Sequence, residues 1–173
     1  LLIVVAVPTA LAASTPGVTA TTITIGGTVP ITGPAALFGS VGRGADAYFK
    51  YVNAHGGVNG RKIKYLYRDA AYDPSKTVQL TRELVENDKV FAIFSTIGTD
   101  NTIATTDYLN AAKVPQLFAG TGAASVGDAY KTHPWTWGDL PSSRAEGAVY
   151  GRATARQAGA QGPDHYAGSA CGT

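Results

Sequence analysis

Four short strand-like runs alternate with stretches of helical periodicity, and this alternation constrains the fold more than any other feature of the chain. Residues 22–29 alternate apolar and polar side chains, as a half-buried strand demands. Residues 61–68 form a second run, with Ile63, Tyr65 and Tyr67 on one face. Residues 90–94 are continuously apolar, a pattern suited to burial on both faces. Residues 114–118 form a fourth run, with Pro115 at its start, where a missing N–H is tolerated. Between the first two, Val41, Ala45, Tyr48, Phe49 and Val52 recur at helical spacing over residues 39–54, and Gly56 and Gly57 close that helix. Asp73 and Pro74 open a second helix, Asp as the cap and Pro at the first helical position, with Val78, Thr81, Leu84 and Val85 as its inward stripe. A third helix starts near Asp100 and is expected to bury Ala104, Tyr108, Ala111 and Ala112. Ser143 and Glu146 read as a capping box for a last helix that reaches about residue 156. Strands separated by single helices of about 10–15 residues imply βαβ units. The fold class predicted is therefore α/β, a doubly wound parallel sheet with helices on both faces.

In such a sheet, ligands bind in loops at the carboxyl ends of the strands. The segment at residues 29–39, VPITGPAALFG, is the first such loop. Gly26, Gly27, Gly33, Gly39, Gly42 and Gly44 surround it and are expected to let a ligand come close to backbone N–H groups. Thr99 and Asp100 stand where the third helix begins, and free N–H groups at a helix start favour an anion. The Thr99 hydroxyl adds a donor of adaptable direction. On local sequence Thr99 also reads as an N-cap, and Asp100 reads as a cap rather than a ligand contact, because its charge repels a carboxylate. Thr121 follows the fourth run between Gly120 and Gly122, where backbone approach is easy.

Composition excludes several classes. Of 173 residues 15% are charged and the net charge is only +2, with no block of Lys or Arg to bind nucleic acid or an anionic membrane. His55, His133 and His165 lie far apart and form no metal-spaced set. There is no catalytic triad, paired-acid motif or phosphate loop, so the chain reads as no enzyme, with no cofactor and no metal. Cys171 stands alone and forms no internal disulfide. Residues 1–13 are an apolar run carrying Ala10-Leu11-Ala12, the pattern of a secretory signal-peptide remnant. The run is too short to span about 30 Å of hydrocarbon. No Cys marks a lipid-anchored cleavage site, so export to the periplasm or beyond is expected. Residues 14–21 read as a linker of small polar residues, and residues 157–173 as a disordered Gly/Ala-rich tail. Trp135 and Trp137 flank Thr136 in a short extended segment whose rings are expected to pack on one face.

Five segments carry a family resemblance in order: VPITGPAALFG, GGVNGRKI at Gly56, AAYDPSKTVQLTRELVENDKV at Ala70, IFSTIGTDNTIA at Ile93 and KVPQLFAGTGA at Lys113. Together they resemble the periplasmic solute-binding proteins of branched-chain amino-acid ABC importers, the type I leucine/isoleucine/valine-binding family. The resemblance covers about residues 23–156. It implies a two-lobed receptor that closes on an amino acid or amide and delivers it to a membrane permease and ATPase. By position, Phe38 matches an aromatic lining the ligand pocket. Ile97, Gly98 and Thr99 match the backbone-and-hydroxyl segment that holds the ligand carboxylate, and Ala119, Gly120 and Thr121 match the second such segment. Residues 22–137 then form the N-terminal lobe and residues 138–156 the start of a second lobe. The remainder of that lobe is expected to be missing, including the acid that neutralises the ligand ammonium. The alternatives are the ligand-binding domain of a signalling receptor and a nucleotide-binding enzyme domain, with Asp69 as the ribose-binding acid.

Overall fold

The computed structural model describes residues 15–157. The expected signal-peptide remnant, residues 158–173 of the expected tail, His165 and Cys171 lie outside the described residues. Five parallel strands, β1 (Thr22–Val29), β2 (Lys62–Asp69), β3 (Ala92–Phe94), β4 (Gln116–Ala119) and β5 (Thr136–Gly138), form one sheet in the order β2-β1-β3-β4-β5. The helices are α1 (Ser40–Ala54), α2 (Pro74–Glu86), α3 (Thr99–Ala111), the short α4 (Ala124–Asp128) and α5 (Ser143–Gln157). The chain runs from β1 outward to β2, then returns to place β3 on the other side of β1. That reversal makes a crevice at the carboxyl ends of β1 and β3, where open α/β sheets take their ligands.

Local chemistry explains the ends of the elements. Asp73 accepts a hydrogen bond from the Lys76 N–H at 2.8 Å, with Pro74 behind it, so α2 starts as its sequence predicts. After α1 the Gly57 N–H donates to the Val52 carbonyl at 2.9 Å with Gly56 and Gly57 both at positive φ, a left-handed helix stop. Helix α5 is capped one residue earlier than expected: Ser142 Oγ, not Ser143, accepts from the Ala145 N–H at 3.2 Å. The Ser143 N–H is taken by the Gly122 carbonyl at 2.7 Å, so Ser143 is already inside the helix. Residues 15–21, read as linker, form a turn against the sheet: Val18 bridges Ile23, and Arg61 Nε donates to the Thr19 carbonyl at 2.8 Å.

Helices α2 and α3 cover one face of the sheet, over a core of Leu84, Val90, Ile93 and Leu109. On the opposite face α1 lies against β2 and β1, with Phe49 edge-on to Tyr65 at 5.3 Å and to Phe94 at 5.4 Å. The inward face of α3 is not the predicted one. Asn101, Thr102, Thr105 and Leu109 are buried, whereas Ala104, Ala111 and Ala112 are exposed and Tyr108 is half-buried. Threonines can occupy that face because their hydroxyls bond back to the helix: Thr102 Oγ1 donates to the Gly98 carbonyl and Thr106 Oγ1 to the Thr102 carbonyl, each at 2.8 Å. An apolar count ranks alanine above threonine and so rotates the helix wrongly. The buried face of α2 likewise includes Thr77 and Thr81 beside Leu84.

Gln116 on β4 is fully buried and meets the threonines of α3. Its amide donates to Thr105 Oγ1 at 2.9 Å, and its carbonyl oxygen accepts from Thr106 Oγ1 at 3.2 Å and Thr136 Oγ1 at 3.1 Å. Asn110 completes the network, donating to Thr136 Oγ1 at 2.8 Å and accepting from the Trp135 N–H at 2.9 Å. These bonds dock β5, so Thr136 is its buried residue. Trp135 is half-buried and Trp137 exposed, which corrects the expectation that both rings pack. On α5, Ala145, Ala148, Val149 and Ala153 are exposed.

Candidate functional site

The ladder between β3 and β4 continues past the strands themselves. The Gly120 N–H donates to the Thr96 carbonyl at 2.8 Å, and the Gly98 N–H donates to the Gly120 carbonyl at 3.2 Å. Ile97 and Gly120 pair as an isolated parallel bridge. A side chain at Gly120 would lie 2.9 Å from Ile97 Cδ1, so glycine there allows the two loops to close up. The consequence is that Thr99 and Thr121, 22 positions apart in sequence, meet with their hydroxyl oxygens 2.8 Å apart. Thr121 is only 5% exposed and its Oγ1 also accepts from the Ala123 N–H at 3.1 Å. Two hydroxyls that share one hydrogen bond have one O–H left over, whichever of them donates. That donor is available to an acceptor arriving from solvent.

Thr99 is the first residue of α3, and Gly98 stands at its N-cap with no side-chain capping bond. Neither Thr99 nor Asp100 caps the helix, contrary to the local reading, because the Thr99 hydroxyl is turned to Thr121. Asp100 is exposed in the first turn. The N–H groups that open a 13-residue helix therefore stand beside the threonine pair without a capping carboxylate. The spare hydroxyl and the helix-opening N–H groups match a carboxylate or another small anion.

Gly98 has φ +103, a conformation glycine adopts without strain. A side chain there would also collide with the Tyr72 ring, at 2.7 Å from Cε2. Tyr72 and its neighbour Ala71 both have positive φ, as do Ser95 after β3 and Phe118 in β4. Non-glycine residues in this region are strained, and four of the seven among the described residues lie at the carboxyl ends of β2, β3 and β4.

Asp69, the last residue of β2, joins two of these loops. Its Oδ1 accepts from the N–H groups of Ile31 at 2.9 Å, Thr32 at 3.1 Å and Ala71 at 2.9 Å, and its Oδ2 accepts from Thr32 Oγ1 at 2.6 Å. With its oxygens so occupied Asp69 is a loop clamp, which removes it as a ribose-binding acid. Burial alone would raise its pKa, but the bonds from Thr32, Ala71 and Ile31 outweigh that and hold the carboxyl down at about 2, against an ordinary 3.8. Because the folded-state value is the lower one, the stabilisation is fully present above about pH 4 and is lost as the pH falls toward 2. Thermal melts of Asp69→Asn and the parent protein are expected to differ above pH 4 and to converge near pH 2; a gap independent of pH would refute the clamp.

The sequence profile of the periplasmic binding protein family matches residues 22–167. The chain belongs to this family. An amino acid binding protein of Pseudomonas aeruginosa is 33% identical over 100 residues, which are 57% of this chain and 27% of that protein. The Leu/Ile/Val-binding protein homolog 7 of Brucella suis is 31% identical over 119 residues, 65% of this chain and 30% of that protein. A substrate-binding periplasmic protein from Ralstonia solanacearum, known from its crystal structure, superposes with a TM-score of 0.72 at 27% identity, over 78% of this chain and 38% of that one. The chain thus spans about a third of the length of these relatives. All three are named for binding rather than catalysis, and the family is one of binding proteins, not enzymes.

In this periplasmic binding protein fold, the seven residues singled out from sequence all lie at the carboxyl end of the sheet. Ile97, Gly98, Thr99, Ala119, Gly120 and Thr121 form the paired β3 and β4 loops. Ala119 is fully buried, and its carbonyl accepts from both the Thr121 N–H at 2.9 Å and the Asp139 N–H at 3.0 Å. Phe38 lies on a single 3-10 turn (Ala36–Gly39) in the β1 loop and is 54% exposed, so it is no core residue. The glycines near that loop have a different role from the one expected. Gly26 faces Leu84 and Ile93, Gly27 lies under the Tyr65 phenol, Gly33 abuts the Ala71 carbonyl, Gly39 abuts Pro30, and Gly42 lets α1 approach Val29 and Tyr67. They serve close packing, and only Gly44 has open space beside it. Asp69, read from sequence as an alternative ribose-binding acid, and Tyr72 are the two residues of this sheet end whose contacts the motifs did not indicate. The signal for them is their place between the end of β2 and the Asp73-Pro74 helix start.

Proposed function

We propose that residues 22–137 form the first lobe of an extracytoplasmic receptor for a branched-chain amino acid, or a related amino acid or amide. An ABC permease and its ATPase take the ligand from it. The observation that carries this reading is the hydroxyl pair of Thr99 and Thr121 set against the uncapped start of α3. In the proposal the O–H left over by the Thr99–Thr121 pair donates to the ligand carboxylate, the N–H groups at the helix start add to it, and Ile97, Gly98, Ala119 and Gly120 shape the backbone around it. Phe38 lines the apolar side. Residues 1–13 direct export, and α5 within residues 138–156 begins a second lobe. The family's extracytoplasmic setting and the names of the Pseudomonas and Brucella relatives support the ligand class and location. The full-length protein, titrated by calorimetry with L-leucine, L-isoleucine and L-valine, is expected to bind at least one of them, with every molecule recovered unchanged by chromatography. Loss of the amino acid during incubation would overturn the reading, and no heat with any of the three would overturn the branched-chain ligand.

A further inference from the structure

The sheet order separates the site into a polar and an apolar side. Thr99 on the β3 loop has Thr121 of the β4 loop on one side and, across β1, the β1 and β2 loops on the other. Tyr72 comes from the β2 loop yet reaches Gly98 on the β3 loop, so its ring crosses the carboxyl end of β1. Its origin is rigid: Asp69 Oδ1 holds the Ala71 N–H at 2.9 Å, and the Asp73 N–H donates to the Ala70 carbonyl at 2.9 Å. Ala71 and Tyr72 both have positive φ, 51° and 62°. One side of the ring rests on Gly98, and the residue as a whole stays 41% exposed. A ligand whose charged head sits against the Thr99–Thr121 pair has its hydrocarbon tail directed away from that pair, and on the β1 side Tyr72 is an aromatic surface beside Gly98.

We infer that Tyr72 is a specificity-determining residue, the wall against which the ligand's aliphatic side chain packs. Gly98 is glycine so that the ring can lie there. This rests on the carboxylate reading of the threonine pair, and the two fail differently. Affinities of the full-length protein for L-alanine, L-valine and L-isoleucine share the head group and vary only the tail. Tyr72→Gly removes the ring and at the same time relieves the positive φ, so it keeps the fold. It is expected to weaken L-isoleucine at least tenfold and L-alanine less than threefold, which compresses the preference for the larger side chain. Tyr72→Phe keeps the ring and is expected to keep the parent preference. Thr121→Ala should weaken all three equally. An unchanged isoleucine-to-alanine ratio in Tyr72→Gly overturns the wall, even where Thr121→Ala behaves as expected. If Thr121→Ala leaves all three affinities unaltered, or the parent binds none of them, the carboxylate reading falls and the wall with it.

Discussion

Gln116→Ala is expected to lower the unfolding free energy by about 3 kcal/mol, the sum of a buried cavity and a stranded hydroxyl. The Gln116 side chain is fully buried and holds Thr105, Thr106 and Thr136 from three directions. Thr105 and Thr106 keep backbone acceptors within α3 after the change. Thr136 does not: among the described residues its only acceptor is the Gln116 carbonyl oxygen, so its O–H is left unpaired in a buried position. Gln116→Leu refills most of the volume but not the polar contacts, and should fall between alanine and the parent. Denaturant melts of the full-length protein measure the series. An alanine variant within 1 kcal/mol of the parent would mean that β5 is docked by something other than this network.

Thr121→Ala is expected to weaken ligand binding by about 1.5–3 kcal/mol, roughly ten- to a hundredfold, because a charged acceptor loses a buried donor. Thr99→Ala should have a similar effect. The double variant should cost less than the sum, since the two hydroxyls share one hydrogen bond and each single change already breaks it. The effects on stability of the empty protein should differ. Thr121 is the more buried of the two and satisfies the Ala123 N–H, whereas Thr99 caps nothing. Thr121→Ala should therefore lower the melting temperature more than Thr99→Ala, the reverse of what a capping role for Thr99 would give. Calorimetric titrations with L-isoleucine and melts of both variants check the two claims together. Equal affinity in the parent and both single variants would remove the pair from the site.

The departures of the structure from the sequence reading have two causes. The inward face of α3 was misplaced because burial was judged by apolarity, and Thr102 and Thr105 are buried only because each finds a carbonyl one turn back. The glycine-rich β1 loop pointed toward ligand approach, whereas Gly27 and Gly42 give way to Tyr65 and Tyr67 of β2 and to Val29 at the end of β1. Asp69 looked like a free acid at a strand end. Its four partners, Ile31, Thr32 (twice) and Ala71, include a loop almost forty positions away. For Gly27 and for the Ile31 and Thr32 bonds to Asp69 the deciding neighbour is distant in the chain, whereas for α3 it lies one turn away.

What the amino-acid order determined by itself is local: the periodicity of β1 and α1, the Asp73-Pro74 helix start, the Gly56-Gly57 stop, and a βαβ alternation that admits only a parallel sheet with its loops at one end. These features depend on side chains a few residues apart, so a pattern can carry them. The tertiary structure decided which loop residues meet. Strand order puts β3 beside β4, the ladder runs on through Ile97 and Gly120, and only then do the hydroxyls of Thr99 and Thr121 come within 2.8 Å. The same order brings Tyr72 across β1 onto Gly98. Contacts between loops depend on the strand register and on close approach at Gly98 and Gly120, and no short stretch of sequence encodes a distance between two loops.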